Sequence, residues 1–285
     1  KKPNLICVDM GGTSFDMSLI INGKPSVTNE TEQQHIPLLI PLVDIHTIGA
    51  GGGSVAWLES GALKVGPRSA GAEPGPACYG KGGNEPTVTD ANLFLGRLGS
   101  NSKLGGWMNL NINASDKVIK NLSDKLKISK TELAEGILSI INAKMADAIR
   151  TITVKEGIDP REFSLVAFGG AGSMHAVWLA EELEIKEVIV PNDPGTFSAW
   201  GMLQTDIRRD LTVNFFQPFQ GLSKEKIIET YNKLEAEAAD LLVKENVNNS
   251  DMSFMLTADM RYIGQEYYVN VPIKLPINLE EINNN

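Results

Sequence analysis

An anion-binding loop is predicted near the start of the chain, in the string Asp9-Met-Gly-Gly-Thr-Ser-Phe-Asp16. Glycines let a backbone approach a ligand closely, with its N–H groups directed at an anion, and neighbouring hydroxyl groups add donors. The donor positions are Gly11, Gly12, Thr13 and Ser14. Asp9 and Asp16 flank them, and a carboxylate beside a phosphate is repulsive unless a cation lies between the two. The carboxylates therefore indicate Mg²⁺, and a glycine turn capped by aspartates is the plain structural alternative.

A β-hairpin must position this loop, because the sequence on both sides follows strand patterns. Leu5 to Asp9 is a mostly apolar run typical of a buried strand, and from Phe15 to Ile21 apolar and mostly polar residues alternate. Asn22-Gly23 then favours a two-residue hairpin turn, with a third strand beginning near Pro25. The common phosphate loops place a helix after their glycines, so neither the Walker pattern nor the dinucleotide fingerprint fits.

A second glycine turn, Gly169-Gly-Ala-Gly-Ser-Met-His175, follows a strand pattern over 163–168 and precedes a helical pattern over 176–183. Strand, glycine turn and helix N-terminus together form a standard arrangement for holding a nucleotide. The candidate nucleotide-binding residues in this turn are Gly169, Gly170, Gly172 and Ser173. The motif is weak alone, and its presence in the same chain as the hairpin loop strengthens it.

A glycine- and proline-rich region follows the hairpin. Its first part, Thr47-Ile-Gly-Ala-Gly-Gly-Gly-Ser54, has apolar neighbours on both sides, which favours a packed loop facing a ligand over a plain turn or linker. Residues 61–88 have little predicted secondary structure, and so long a loop is uncommon in a compact domain unless it is functional or disordered. We predict an ordered active-site loop, in which Arg68, Glu73 and Lys81 either meet a substrate or are simply solvated.

Two histidines and a nearby aspartate are the candidate catalytic residues. Asp44 and His46 would share one face of a strand, where His46 could act as a metal ligand or a general base. His175 lies just past the second glycine turn at a helix start, where a cationic imidazole is disfavoured, so we expect a neutral donor. Each histidine has a plain alternative as a hydrogen-bonded core residue. No Gly-x-Ser-x-Gly elbow and no nucleophile context around Cys7 or Cys78 points to covalent catalysis.

The rest of the chain supplies framework elements. Helical spacing and capping residues predict helices over 91–98, from Ser115 to 126, from the capping box at Ser129 to Gly157, and over 223–244. Residues 194–203 are predicted to be a turn that leads into a tightly packed helix. Further strands are predicted over 187–190, 211–216, 252–262 and 265–271.

Length and composition narrow the function further. The 285 residues carry a formal net charge of −9, which argues against a general nucleic-acid binder or a binder of anionic membranes. No apolar run approaches the roughly 20 residues of a membrane span, and no signal peptide is recognised. The two cysteines form no disulfide framework, so a reduced, cytoplasmic setting is expected. The abrupt start suggests a fragment of a longer protein.

The spacing Asp-x-Gly-Gly-Thr-x-x-Asp at residues 9–16 resembles the phosphate motif of actin-like ATPases. The full string is similar to one branch of them, the hydantoinase A / 5-oxoprolinase (N-methylhydantoinase A-like) family. Further stretches resemble this family in family order: residues 44–54, 66–92, 167–176 and 190–210, with 261–265 similar to the start of its C-terminal segment. The resemblance implies an α/β fold of the actin-like ATPase (ribonuclease H-like) type, with a mixed sheet flanked by helices.

The resemblance also implies a division of the chain. Residues 1–210 correspond to the second half of the actin-like ATPase region, with a long Gly/Pro-rich insert at 49–88, and residues 211–285 to the start of a truncated C-terminal segment. Family members carry a further Asp-x-Gly-Gly-Thr hairpin in a preceding half, and the nucleotide site lies between the halves. The implied partners are the missing N-terminal half and a hydantoinase B-type subunit, with no nucleic acid and no membrane.

The activity implied by the resemblance is ATP-dependent hydrolysis of a cyclic amide such as a hydantoin or 5-oxoproline, with ATP and Mg²⁺ as cofactors. Phosphorylation of the ring carbonyl oxygen would activate a stable amide toward water, which needs clamped phosphates rather than a protein nucleophile. Residues 9–16 and 169–173 would hold the ATP. Two alternatives stay open: the ATP-binding subunit of a ketone carboxylase of the acetone carboxylase type, and a nucleotide-responsive binding module without turnover. The isolated chain is expected to bind ATP poorly and not to turn it over.

Overall fold

The computed structural model describes residues 2–28, 31–33, 36–38, 42–99, 101, 103–218, 221–274 and 276. The chain divides into two units, Lys1–Gln204 and Thr205–Asn285. Each unit has its own secondary-structure elements.

The strands, in chain order, are β1 (Leu5–Met10), β2 (Phe15–Ile21), β3 (Lys24–Pro25), β4 (Val27–Thr28), β5 (Thr31–Gln33), β6 (Ile36–Leu38), β7 (Leu42–Val43), β8 (His46–Ile48), β9 (Ser54–Glu59), β10 (Ala62–Ser69), β11 (Lys103–Leu104), β12 (Met108–Asn109), β13 (Ser164–Phe168), β14 (Val188–Ile189), β15 (Leu256–Met260) and β16 (Val269–Ile273). The α-helices are α1 (Val88–Phe94), α2 (Ile112–Leu126), α3 (Lys130–Lys155), α4 (Gly169–Glu182), α5 (Phe197–Leu203) and α6 (Lys224–Lys244). Short 3₁₀ turns lie at Ala77–Tyr79, Pro160–Glu162, Pro194–Thr196 and Asn249–Asp251.

A mixed sheet forms the centre of the first unit, with strand order β14-β13-β1-β2-β3 and β8 also paired with β2. β13 is parallel to both β1 and β14, whereas β2 is antiparallel to β1 because the first hairpin joins them. Asn22 and Gly23 have positive φ values of 53° and 78°, as the two-residue turn between β2 and β3 requires. The predicted α/β fold with a mixed sheet flanked by helices is confirmed.

One face of this sheet is packed against helices. The side chains of β1 and β2 alternate between buried and partly exposed positions, as a half-buried strand dictates. The buried side chains join residues of α3 and α4 in one core, and on β1 and β2 they are Ile6, Val8, Met10, Phe15, Met17 and Leu19. The alternate positions, which include Asp9 and Asp16, therefore lie on the opposite face of the sheet.

The long core helix α3 begins where its capping residue predicts. The Ser129 side chain accepts a hydrogen bond from the backbone N–H of Glu132 at 3.1 Å, which satisfies one donor of the first turn. The predicted start of α2 at Ser115 is wrong. The capping residue is Asn111, whose side chain accepts from the backbone N–H of Ala114 at 3.1 Å.

A buried carboxylate explains why Ser115 is not a cap. Asp90 lies in the first turn of α1, where it forms a capping box with Thr87. The Asp90 carboxylate also accepts hydrogen bonds from the backbone N–H groups of Ala77 (3.1 Å) and Cys78 (2.9 Å) and from the Ser115 hydroxyl (2.6 Å). Asp90 therefore fixes α1, α2 and the 3₁₀ turn between β10 and α1 to one another.

A β-hairpin occupies part of the region that was predicted to have little secondary structure. β9 and β10 pair antiparallel, and Ser60 and Gly61 at their turn have positive φ values of 50° and 82°. The register shifts between Val65 and Ser69. Beside this irregularity, Lys144 of α3 donates a hydrogen bond to the carbonyl of Val65 at 2.5 Å. The insert is therefore a folded part of the first unit.

The second unit contains α6 and the antiparallel pair β15–β16. α6 begins after Ser223, whose side chain accepts from the backbone N–H of Lys226 at 3.3 Å. The prediction of a strand over 211–216 is wrong. In the described part of this unit β15 and β16 pair only with each other, so residues 211–216 have no strand to pair with. Across the residues that the structure describes, no helix is both long and apolar enough to cross a membrane.

Candidate functional site

Asp9 and Asp16 face each other across the first hairpin. They are register partners in the antiparallel pair β1–β2 and lie on the sheet face opposite the helical core. Directly opposed residues in such a pair have Cβ atoms about 4.5–5.5 Å apart, and like charges in that position are destabilising. Hydroxyl donors or a cation between the two carboxylates would relieve this repulsion.

Two hydroxyl groups hold the Asp16 carboxylate. The Ser14 hydroxyl donates to Oδ2 at 2.8 Å, and the Thr47 hydroxyl donates to Oδ1 at 2.5 Å. Thr47 reaches Asp16 because β8 pairs with β2 and the two residues are register partners. The sequence predicted a ligand-facing stretch that begins at Thr47, but its contact with Asp16 arises only from the pairing of distant strands. Each carboxylate oxygen has a further lone pair, so Asp16 can still accept from a ligand.

The glycine-rich loop at residues 49–53 supports residues 11–14 from behind; these four residues are predicted to bind phosphate and are called the phosphate loop. The backbone N–H groups of Gly52 and Gly53 donate to the carbonyls of Gly11 (3.0 Å) and Gly12 (2.7 Å). A Cβ atom added to Gly51 would lie 2.6 Å from the carbonyl carbon of Gly12, so the two backbones are in direct contact. The prediction that this loop packs is confirmed. Residues 50–54 lie buried beneath the phosphate loop, whereas Thr47, at the start of the same predicted stretch, is exposed and contacts Asp16.

The other side of the phosphate loop is open. A Cβ atom added to Gly11 or Gly12 would meet no atom within 4 Å, and Thr13 is exposed at the tip. The backbone N–H of Gly11 donates to the carbonyl of Ser14 at 3.2 Å and closes the turn. The loop is thus fixed from below and accessible from above, as an anion-binding loop must be.

The second glycine turn lies directly beside Asp9. Phe168 and Asp9 are register partners in the parallel pair β1–β13, and Gly169 follows at the start of α4 with a φ of +84°. A Cβ atom added to Gly169 would lie 2.2 Å from Oδ1 of Asp9 and 2.5 Å from the carbonyl oxygen of Met10. The fold therefore brings the two glycine bends together, although some 160 residues separate them in the sequence.

The remaining residues of the second turn divide into packed and exposed positions. Gly172 is buried, and its added Cβ would lie 3.6 Å from the backbone nitrogen of Met10. Gly170 and Ser173 are exposed, and an added Cβ at Gly170 would meet no atom within 4 Å. Gly170 and Ser173 can therefore face a ligand, whereas Gly169 and Gly172 allow α4 to pack closely on β1.

Ser198 contributes a further hydroxyl group to the site. It donates a hydrogen bond to Oδ2 of Asp9 at 2.5 Å. Its helix, α5, has no buried residue, and added Cβ atoms at Gly195 and Gly201 would meet no atom within 4 Å. The prediction of a tightly packed helix over 194–203 is therefore wrong. The small residues there suggested packing, and no sequence signal indicated the contact with Asp9.

Asp44 and His46 contact each other and are not joined to the Asp9–Asp16 pair. His46 Nε2 lies 3.2 Å from Oδ2 of Asp44. His46 is adjacent to Thr47 in β8, and successive side chains of a strand point to opposite faces, so His46 lies on the face away from Asp16. His46 therefore lies on the other side of the sheet from Asp16, and Asp44 contacts it there.

His175 is enclosed in the core, with only 1% of its surface exposed. Its Nδ1 lies 2.6 Å from Oδ1 of Asn142 and its Nε2 lies 3.4 Å from Nδ2 of Asn92. Burial, with a smaller contribution from the Arg97 charge, lowers the pKa of His175 to about 4, so the ring is neutral at pH 7. The neutral state agrees with the prediction, and the contacts match the core alternative that the sequence left open.

Arg68 and Lys81 of the insert each pair with a carboxylate of the same insert. Arg68 contacts Glu85 at 2.7 Å and also lies over the Trp57 ring, 5.1 Å from its centroid. Lys81 lies 3.7 Å from Glu73. All four charged side chains are substantially exposed, so these pairs add little stability. Of the two alternatives for these residues, the structure favours solvated pairs.

The facing carboxylates fit a magnesium ion that is held partly by a ligand. Among the described residues, no cluster of three or more His, Cys, Asp or Glu side chains is placed to hold a metal by itself. Mg²⁺ usually keeps several waters and binds one or two carboxylates together with substrate phosphates. Asp9 and Asp16 are such a pair, beside a loop whose open side suits phosphate oxygens.

The sequence of this chain matches one family model and is similar to that of a known enzyme subunit. The hydantoinase/oxoprolinase family model matches residues 1–211. The alpha subunit of caprolactamase from Pseudomonas jessenii is 38% identical over 277 residues, which cover 95% of this chain and 40% of that protein.

Two solved structures share the fold. The crystal structure of ATP-dependent caprolactamase from Pseudomonas jessenii has a TM-score of 0.76 and 36% identity, covering 99% of this chain and 42% of that one. A nucleotide-free structure of acetone carboxylase, an enzyme of ATP-dependent acetone carboxylation, has a TM-score of 0.84 and 28% identity, again covering 99% of this chain and 42% of that one. This chain thus spans about two fifths of the length of these proteins.

Proposed function

Because the chain belongs to the hydantoinase/oxoprolinase family, we propose that it supplies one side of the nucleotide site of an ATP-dependent enzyme that hydrolyses cyclic amides. The observation that carries this proposal is the contact between the two glycine bends, where Gly169 lies against Asp9 and Met10. The likeness to an ATP-dependent caprolactamase supports the same class of substrate, a ring closed by an amide bond.

ATP is bound by the hairpin loop and the second glycine turn. The open backbone of residues 11–14 faces the phosphates, and Gly170 and Ser173 face the rest of the nucleotide. Asp9 and Asp16 hold Mg²⁺, which neutralises phosphate charge when bound. The hydroxyl groups of Ser14, Thr47 and Ser198 orient these two carboxylates.

The nucleotide is needed because a ring amide resists water. Transfer of the γ-phosphoryl group to the ring carbonyl oxygen breaks the bond to ADP and gives an imidate-like carbon. Water attacks that carbon, its protons pass to the ring nitrogen as the C–N bond breaks, and an acyl phosphate remains. A second water then cleaves the acyl phosphate to the carboxylate and inorganic phosphate. The protein's part in this sequence is positioning and electrostatic stabilisation, which fits a site built from backbone donors and hydroxyl groups without an activated nucleophile.

Residues 1–210 are the second half of the actin-like region in this proposal, and 211–285 begin the C-terminal segment. The first half of the same protein closes the other side of the nucleotide cleft, and a hydantoinase B-type subunit completes the enzyme in the cytoplasm. Asp44 and His46 contact each other on the sheet face away from Asp16, so this proposal gives them no contact with the reacting carbonyl. The neutral ring of His175 holds α4 in place through its contacts with Asn142 and Asn92.

The proposal is tested with the full-length protein and its B-type partner, by measuring phosphate release with hydantoin, 5-oxoproline and caprolactam. We expect release that depends on one of these rings and is accompanied by the ring-opened product. The matched variant is Asp16→Asn, which keeps the shape of the side chain and removes its charge, and which should lower turnover by about 10²–10³-fold. ATP hydrolysis that ignores every ring amide would contradict the proposal.

A ketone carboxylase is the second candidate, because acetone carboxylase gives a TM-score of 0.84, higher than the 0.76 of caprolactamase. ATP consumption that requires a ketone together with bicarbonate would favour it. The identity values, 28% against 36%, run the other way and favour the amide hydrolase. Binding of ATP without turnover under any of these conditions would instead indicate a nucleotide-responsive module.

A further inference from the structure

We propose that Ser198 is a positioning residue that fixes the Asp9 carboxylate for a magnesium-bound triphosphate, so that α5 contributes one hydroxyl group to the phosphate site. This inference rests on the proposed function. It adds a role for a segment that neither glycine bend contains.

The geometry around Asp9 sets both of its carboxylate oxygens. The Ser198 hydroxyl donates to Oδ2 at 2.5 Å. Oδ1 lies so close to Gly169 that a Cβ atom there would come within 2.2 Å of it. Rotation of the carboxylate is therefore limited by α4 on one side and by a hydrogen bond on the other.

The segment that carries Ser198 is anchored to the strand beside Asp9. The Phe197 ring packs edge-on against Phe168, with centroids 5.1 Å apart, and stacks on Trp200 at 5.5 Å. Phe168 is the register partner of Asp9 on β13. The aromatic contacts thus hold Ser198 over the strand end at which the Asp9 carboxylate lies.

The two facing carboxylates are fixed by different parts of the chain. Asp16 accepts from Ser14 within the hairpin and from Thr47 on the neighbouring strand. Asp9 accepts from Ser198, which is 189 positions away in the sequence. Removal of the Ser198 hydroxyl should therefore loosen Asp9 and leave the contacts of Asp16 intact.

Loss of the Ser198 hydroxyl should weaken Mg²⁺ binding, because an oriented carboxylate binds a cation better than a mobile one. Loss of a group that orients a metal ligand typically lowers metal affinity by about 10–100-fold. We expect Ser198→Ala to raise the Mg²⁺ concentration needed for half-maximal ATP binding by about tenfold. Ser198→Thr, which keeps the hydroxyl, should restore it, and Ser198→Cys, a weak donor, should resemble alanine.

The experiment is calorimetric titration of the full-length protein with a non-hydrolysable ATP analogue across a series of Mg²⁺ concentrations. Thr196→Ala is the matched control, because its hydroxyl lies in the same segment and contacts the carbonyl of Asp193 at 3.3 Å instead of Asp9. A tenfold shift in Ser198→Ala and Ser198→Cys, absent in Ser198→Thr and Thr196→Ala, supports the inference.

Two other outcomes overturn it. If wild type binds the analogue and Ser198→Ala has an unchanged or lower Mg²⁺ requirement, the hydroxyl is either passive or competes with the cation, and the inference alone fails. If the wild-type protein binds no nucleotide at any Mg²⁺ concentration, the proposed function fails, and the role of Ser198 fails with it.

Discussion

Replacement of Gly169 by alanine should push the two glycine bends apart. The new Cβ atom would lie 2.2 Å from Oδ1 of Asp9 and 2.5 Å from the carbonyl oxygen of Met10. The Asp9 side chain could shift only by giving up its hydrogen bond from Ser198, and the Met10 carbonyl belongs to the backbone of β1 and can move only with the strand. The φ of +84° at residue 169 adds a second cost, because residues with a Cβ atom are strained there.

The magnitude follows from these two terms. A left-handed backbone costs a residue with a Cβ atom about 1–2 kcal/mol, and overpacking in a well-packed region costs about 1–3 kcal/mol. We therefore expect the free energy of unfolding to fall by about 2–5 kcal/mol. If β1 moves to make room for the new Cβ atom, nucleotide binding should weaken instead, because the phosphate loop then leaves its position beside α4.

The assay combines urea unfolding with titration of the ATP analogue in the presence of Mg²⁺, both on the full-length protein. Gly170→Ala is the control for stability, because its Cβ atom would meet nothing within 4 Å and its φ is not positive. That variant should keep its stability or gain up to about 1 kcal/mol from better helix propensity. A Gly169→Ala protein with wild-type stability and wild-type nucleotide affinity would refute the reasoning.

Three further changes test other contacts of the site. Gly53→Ala places a Cβ atom 2.8 Å from the carbonyl oxygen of Gly12, so it should cost about 1–3 kcal/mol of stability by urea unfolding. Thr47→Val removes one hydroxyl donor from Asp16 and should weaken Mg²⁺-dependent binding of the ATP analogue by up to about tenfold in calorimetry. Burial lowers the pKa of His175 from 6.5 to about 4, so on acidification the unfolded chain binds a proton at this residue at a higher pH than the folded chain does. The free energy of unfolding should therefore fall as the pH drops from 6.5 to about 4. The loss should approach about 3 kcal/mol by pH 4, and His175→Gln should flatten this part of a stability–pH curve.

Two of these changes have a matched control. Gly136→Ala, in the second turn of α3 with only a Leu63 methyl group at 3.4 Å, should not destabilise the protein. Thr47→Ser keeps the hydroxyl and should bind as wild type does. A Gly53→Ala variant of undiminished stability would show that the supporting loop yields freely. A stability curve with the same slope in His175→Gln would show that other groups carry the pH dependence.

Local patterns were enough to predict the phosphate hairpin. Strand alternation fixes which side chains of β1 and β2 share a face, and Asn22-Gly23 fixes the turn after β2. The facing positions of Asp9 and Asp16 follow from that alternation and a short loop. The start of α3 was also predictable, because a capping serine acts within a single turn of the chain.

Contacts between distant segments were not predictable from the sequence. Thr47 meets Asp16 across 31 positions and Ser198 meets Asp9 across 189, and no local pattern encodes either pairing. The glycines at 51–53 suggested a ligand-facing loop, yet their small size serves contact with another backbone. Glycine permits both uses, and only the position of the neighbouring segment decides between them.

Turn chemistry accounts for the hairpin that was missed in the insert. Ser60 adopts a positive φ of 50° before Gly61, and serine is a weaker signal for that conformation than asparagine. The strands on each side are short and irregular, with a register shift before Ser69. The cap of α2 was misplaced for a similar reason, since both Asn111 and Ser115 can cap a helix and only the buried Asp90 shows which one is engaged elsewhere.

The most direct test is the structure of the full-length protein crystallised with Mg²⁺ and a non-hydrolysable ATP analogue. The phosphates should lie on the open side of residues 11–14, with the Mg²⁺ ion between Asp9 and Asp16 and the nucleotide extending toward Gly170. A nucleotide bound elsewhere, with residues 11–14 and 169–173 both unoccupied, would contradict the claim that the two glycine bends hold the triphosphate.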